Sequence, residues 1–391
     1  MQPDQQLTIF SAVNASTWRS AAILKICSAL LIAAGLASPA EAALFSITNL
    51  VTDDQTVNSA KITDPNLINA WGVSRSAASP FWVSNNGTGT ATLYSVNPTT
   101  DATTKQALTV SIPGAGNVTG QAFANVAGSF NGDTFLFVSE DGTVSGWRNA
   151  LGTTAETLVL ASSNAVYKGS AFATIAGNGY LYAANFLAGQ VDVFKGNGGA
   201  PNLVGTFTDP TLPSGYAPFN VENLGGKIYV TYAKRSTGSP DEITGSGFGF
   251  VSAFDLQGNF LGRIASEGTL NAPWGLELAP ASFGDLAGDL LVGNFGNGMI
   301  SAFNLATSSF AGQLLGLNGQ PIVIDGLWDL IAGNGGSGGS TQAIYFSAGP
   351  VDESHGLFGV IRVAQSVPEP ATLGLLVIGL AGLGASRRRK Q

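Results

Sequence analysis

The sequence predicts an all-β fold: a six-bladed β-propeller closed by an N-terminal strand, with a signal peptide before it and a short C-terminal transmembrane helix after it. Three observations lead there. First, an aromatic-centred tetrapeptide recurs six times, as Ala70-Trp71-Gly72-Val73, Ala122-Phe123-Ala124-Asn125, Ala171-Phe172-Ala173-Thr174, Pro218-Phe219-Asn220-Val221, Pro273-Trp274-Gly275-Leu276 and Leu327-Trp328-Asp329-Leu330. The aromatics stand 52, 49, 47, 55 and 54 residues apart, close to the roughly 40–50 residues of a four-stranded propeller blade and too long for a solenoid coil. Second, 52 glycines and only 11% charged residues leave little material for helices with charged outer faces and favour short strands joined by turns. Third, apolar runs at both ends carry the marks of export signals. The chain therefore divides into 1–42, a propeller over 43–366, and a tail over 367–391.

Within each repeat the inner tetrapeptide is followed by a second strand, expected at 81–84, 134–139, 180–184, 227–232, 289–293 and 343–347. Turns rich in Asn, Asp and Gly come next in several repeats, such as Asn85-Asn86-Gly87 and Glu140-Asp141-Gly142, because those residues accept the positive φ of tight hairpins. Third strands are expected at 91–96, 143–148, 190–194, 250–254, 299–303 and 357–363, and outer strands at positions such as 107–112, 158–161 and 202–207. The sixth repeat has no fourth strand before the tail. Residues 44–51 at the other end supply one, which removes the open sheet edge that would invite aggregation.

The two ends read as addresses. Arg19 and Lys25 precede an apolar stretch over 26–36, and Ala40-Glu41-Ala42 places small residues at the cleavage-determining positions. This is the pattern of a secretory signal peptide cut after Ala42. The only cysteine, Cys27, lies within it, so the mature domain forms no internal disulfide. At the C-terminus Val367-Pro368-Glu369-Pro370 precedes an apolar run over 371–385, and Arg387, Arg388, Arg389 and Lys390 follow. Fifteen residues span roughly 22 Å as a helix, short of the ~30 Å bilayer core. The arginines act as a cytoplasmic stop.

This tail resembles the PEP-CTERM sorting signal. The resemblance implies recognition by an exosortase-type processing enzyme, cleavage near Pro368, Glu369 and Pro370, and a cell-envelope or exopolysaccharide setting. The repeats resemble NHL-type blades, best over 289–304. Residues 216–234, 271–276 and 355–359 are similar to a bacterial family of secreted propellers that often carry such tails, which implies a fold and a destination and no activity.

Charge narrows the partners. Setting aside Asp4, Glu41 and Glu369 leaves 22 of the 25 acidic residues; setting aside Arg19, Lys25 and the four basic tail residues leaves 11 of the 17 basic ones. A net charge near −11 argues against nucleic acid and against anionic membrane surfaces, which require basic patches. Two enlarged loops between second and third strands, 233–249 and 348–356, are expected to flank the channel entrance. Asn220, Glu222, Asn271 and Asp329 are candidates to line the channel mouth, with His355 in the second loop. Such oxygen ligands suit Ca²⁺ or Mg²⁺; the competing expectation is a polar lining bonded to backbone and water. The repeated aromatics are expected to pack between blades, and Gly333-Asn334-Gly335-Gly336-Ser337-Gly338-Gly339 to be a flexible connection, since it lacks the Lys-Ser/Thr of a phosphate loop. With one histidine and no mature cysteine, nucleophilic triads have little support. Two functions remain: a binding module for an envelope polysaccharide or protein, or a metal-dependent hydrolase or lactonase-like enzyme at the channel mouth.

Overall fold

Six sheets surround one axis, as the repeat requires. The computed structural model describes residues 43–115 and 117–364. Ala42 and the tail positions Pro368, Glu369, Pro370, Arg387, Arg388 and Arg389 lie outside the described residues. Among the described residues no helix is long and apolar enough to cross a membrane.

Blades 1 to 5 start from the inner strands Ala70–Ser74, Val118–Phe123, Tyr167–Ile175, Tyr216–Leu224 and Pro273–Leu278 and run outward as antiparallel meanders. Blade 6 holds Leu327–Ala332, Ile344–Ala348 and Leu357–Val363, its fourth position is taken by Leu44–Thr52, and the two-residue strands Ile62–Thr63 and Leu315–Gly316 pair parallel to that strand on its outer side. That N-terminal strand pairs antiparallel with Leu357–Val363, from Phe45 opposite Val363 to Thr52 opposite Leu357.

Burial explains the strand sequences. Second strands such as Phe81–Asn85, Phe135–Ser139 and Leu290–Asn294 are buried at every position because a neighbouring blade covers each face. They read as continuous apolar runs rather than alternating ones. Outer strands such as Thr103–Ser111 face solvent on one side and are mostly polar. The buried apolar residues form six clusters between successive blades and a seventh on the axis.

Two expectations are corrected. Residues 202–207 do not form an outer strand: blade 3 has three strands. Gly205 and Phe207 instead donate their backbone N–H groups to Gln257 and Gly258 in the blade 4 hairpin. Phe207 then packs against Tyr182 and Phe254. The glycine-rich segment after Leu327–Ala332 is pinned rather than free. Asn334 accepts from the N–H groups of Gly336 and Gly338 and donates to the carbonyls of Ser76 and Ser79 in blade 1.

Candidate functional site

Every inner strand carries a one-residue bulge at the same level. Opposite the last residues of the second strand, Ala70 pairs with Asn85 and Val73 with Val83; Val118 with Ser139 and Gln121 with Phe137; Tyr167 with Asn185 and Ser170 with Ala183. The same offset recurs at Pro218/Asn220, Pro273/Leu276 and Leu327/Leu330. An extra residue on one strand bends it and turns its side chains. The bulges therefore set which residues meet at the axis: Trp71, Thr119, Lys168, Phe219, Trp274 and Trp328, each followed by Gly72, Gly120, Gly169, Asn220, Gly275 or Asp329.

This corrects the sequence register in blades 2 and 3 by four residues. Phe123 and Phe172 do pack beside the clusters between blades, whereas Trp71, Phe219, Trp274 and Trp328 converge on the axis. Trp328 stacks on Trp71 at 3.7 Å and on Phe295 at 4.1 Å, with Trp274 edge-on at 6.1 Å. The glycines at the next position follow from crowding. A Cβ on Gly72 would lie 2.7 Å from the Thr119 carbonyl oxygen, and one on Gly275 the same distance from that of Trp328.

The two blades without glycine there use the side chain as a cross-link. Asp329 accepts from the Val73 N–H of blade 1 at 2.6 Å and from Leu330 at 2.7 Å. Asn220 accepts from Val221 and donates to the Trp274 carbonyl of blade 5 at 3.0 Å. The remaining blade pairs are joined by Gln121 to Gly72, Thr119 to Tyr167, Asn223 to Phe172, and Glu277 to the Ala332 N–H.

The channel thus has two different mouths. On the face where inner strands begin, Lys168 is 3% exposed and its Nζ lies 2.5 Å from Glu140 and 5.3 Å above the Trp71 ring. Burial works against its charge, but Glu140, Glu242 and Asp241 hold the ammonium above its ordinary pKa. The two enlarged loops meet around it. From the blade 4 loop, Glu242–Ile243 folds back on Lys234 and Arg235, and Asn271 accepts from the Gly245 N–H at 2.7 Å. From the blade 6 loop, Glu353 accepts from Asn69 Nδ2 at 2.6 Å, while Asn69 accepts from Trp328 Nε1. His355 sits at the edge of this face, its Nδ1 2.8 Å from Asp53.

At the opposite mouth, a cavity of about 190 Å³ is bordered by Arg75, Gln121, Ser170, Glu222, Phe123 and Phe172. Burial raises the Glu222 carboxyl well above its ordinary pKa, and Asp329 and Glu277 add to the effect. Asp329 is likewise pushed by burial, up to about 8, against the pull of its two backbone donors.

The five candidate mouth residues are therefore divided. Asn271 and His355 belong to the loop face, Glu222 to the far mouth, and Asn220 and Asp329 to the bulge level between them. Among the described residues no group of three or more His, Cys, Asp or Glu is arranged to hold a metal ion. Sequence reasoning missed Lys168, Glu140 and Arg75. Aligning the repeats on the residue before Gly72, Gly120, Gly169 and Gly275, rather than on the aromatic, would have placed Lys168 on the axis.

Comparisons with known proteins address the tail and the propeller separately. Residues 366–390 match the PEP-CTERM protein-sorting motif. "Uncharacterized protein R648" of Acanthamoeba polyphaga mimivirus is 37% identical over 286 residues, covering 69% of this chain and 70% of its own length. "Uncharacterized protein L690" of the same virus is 33% identical over 325 residues, covering 78% and 82%. Among solved structures, the Penicillium chrysogenum α-L-arabinanase complexed with arabinobiose aligns at a TM-score of 0.48 and 12% identity, over 83% of this chain and 99% of its own.

Proposed function

We propose that this chain, which belongs to the same family as the mimivirus proteins R648 and L690, is an exported interaction module of the cell envelope or extracellular matrix. The observation that carries export is the sorting motif over 366–390. In this reading a signal peptide cut after Ala42 starts export. The apolar run and Arg387, Arg388 and Arg389 hold the chain in the membrane while an exosortase-type enzyme acts near Pro368, Glu369 and Pro370.

The reading places binding on the loop face. There the channel is closed by Trp71, Trp274, Trp328 and Phe295, which leaves a rigid platform rather than an open cleft. The blade 4 and blade 6 loops present Asp241, Glu242, Glu353 and His355 around its rim. Rigid scaffolds that display long loops are well suited to recognition. The partner is an envelope polysaccharide or protein. The test is retention of polysaccharide and protein fractions from the producing cell's envelope on immobilised 43–364, with and without residues 236–246. The intact domain is expected to retain one fraction and the deletion variant to lose it at an unchanged melting temperature. Equal retention by both, or by neither, overturns the assignment.

A further inference from the structure

The far mouth of the channel lies at the other end of the inner strands from the loop face, and its chemistry is independent of the reading above. The cavity of about 190 Å³ far exceeds the ~15 Å³ that one water needs and falls below the ~300–1,000 Å³ of drug-sized pockets. It is the size for a small molecule. Its polar wall is incompletely satisfied. Ser170 is 4% exposed and lines the cavity, yet its Oγ has no hydrogen-bond partner. Asn223 uses Nδ2 on the Phe172 carbonyl, which leaves Oδ1 for a ligand.

The charges nearby are mostly negative. Glu222, Glu277 and Asp329 lie close enough to repel one another. Asp329 and Glu277 each accept two backbone N–H groups. Among the described residues no side chain donates to Glu222, and the Asn223 backbone N–H is the group that favours its charged form. Among the described residues that border the cavity the one cation is Arg75, which gives Nε to the Ala332 carbonyl at 2.6 Å and Nη2 to that of Gly333 at 3.1 Å and feels the charge of Glu277. An anion would face three carboxyl groups against one guanidinium whose charge Glu277 already offsets, and a neutral polyol brings no positive charge to them. An ammonium group brings positive charge to these carboxyl groups and supplies the donors that Glu222, Ser170 and Asn223 can accept.

We infer that the far mouth is a binding pocket for a small organic amine, with the Glu222 carboxylate as counter-ion, Ser170 and Asn223 as hydrogen-bond acceptors, and Phe123 and Phe172 as walls. The aromatic rings suit a cation as well as its carbon skeleton. Binding couples to a proton. Burial, Asp329 and Glu277 favour the neutral Glu222 carboxyl when the pocket is empty, and pairing with an ammonium ion requires the carboxylate. A proton is then released on binding.

The experiment is calorimetric titration of the propeller domain with ethylamine, ethanolamine and glucosamine, and with glucose and N-acetylglucosamine as uncharged counterparts. Each is run in two buffers of different ionisation enthalpy. The expected result is at least tenfold preference for an amine over the uncharged sugars, with release of a proton. Glu222→Gln is expected to reduce amine binding tenfold or more, and Ser170→Ala several-fold. Crystals of the unaltered protein soaked with the best amine keep the test independent of whether Glu222→Gln folds; the nitrogen is expected within hydrogen-bond distance of Glu222. Equal or tighter binding of glucose, an amine seated elsewhere, or no binding of any probe overturns the proposal. None of these outcomes depends on whether the loop face binds envelope material.

Discussion

Asp329 shows how a single side chain serves the ring. It occupies the position where four blades have glycine, and both its oxygens accept backbone N–H groups, one of them from the first residue beyond the bulge of blade 1. From the sequence alone it reads as an oxygen ligand, because nothing local reveals that Val73, 256 residues away, needs an acceptor. Replacing it by Asn keeps the volume but leaves one acceptor for two donors. Losing a buried hydrogen bond and stranding a buried N–H costs about 1–3 kcal/mol. Asp329→Asn is therefore expected to lower unfolding free energy by that amount in urea titration, and a neutral effect would mean that the cross-link contributes nothing. Lys168 illustrates the complementary case. A lone lysine among small residues looks like surface, yet the bulge turns it onto the axis, where Glu140 must accompany it.

At the level of elements, the N-terminal strand is the decisive piece. Leu44–Thr52 buries Phe45, Leu50 and Val51 and covers the edge of Leu357–Val363. Each of those side chains contributes about 1.5–3 kcal/mol by burial, so together they rival the whole ~5–15 kcal/mol stability of an ordinary domain. A chain beginning at Asp54 is expected to be insoluble or to pair through its exposed edge into higher oligomers, as read by size-exclusion chromatography. A monomeric product that melts at the parent temperature would contradict this role. The strand itself was legible from the missing fourth element of the last repeat. The three-stranded blade 3 was not, because residues 202–207 have strand-like composition. What withdraws them is a better offer from the Gln257-Gly258 turn, a partner about fifty residues later.

The molecule as a whole separates a folded ring from its addresses. The last described backbone bond joins the Ala364 N–H to the Leu44 carbonyl, so the ring is complete before the sorting motif over 366–390 begins. A gene ending at Gln365 is expected to yield a soluble propeller in the medium, with the same melting temperature as the processed protein; an insoluble or membrane-retained product would tie the tail to folding. Blade number, ring closure and the sorting tail were determined by the sequence alone, since each is a pattern of contiguous residues or a regular period along the chain. The tertiary structure decided which side chains share the axis and which charges remain for a ligand. Those depend on residues about fifty apart meeting at inner-strand bulges, and a slip of four residues exchanges a phenylalanine for a lysine without disturbing the local pattern.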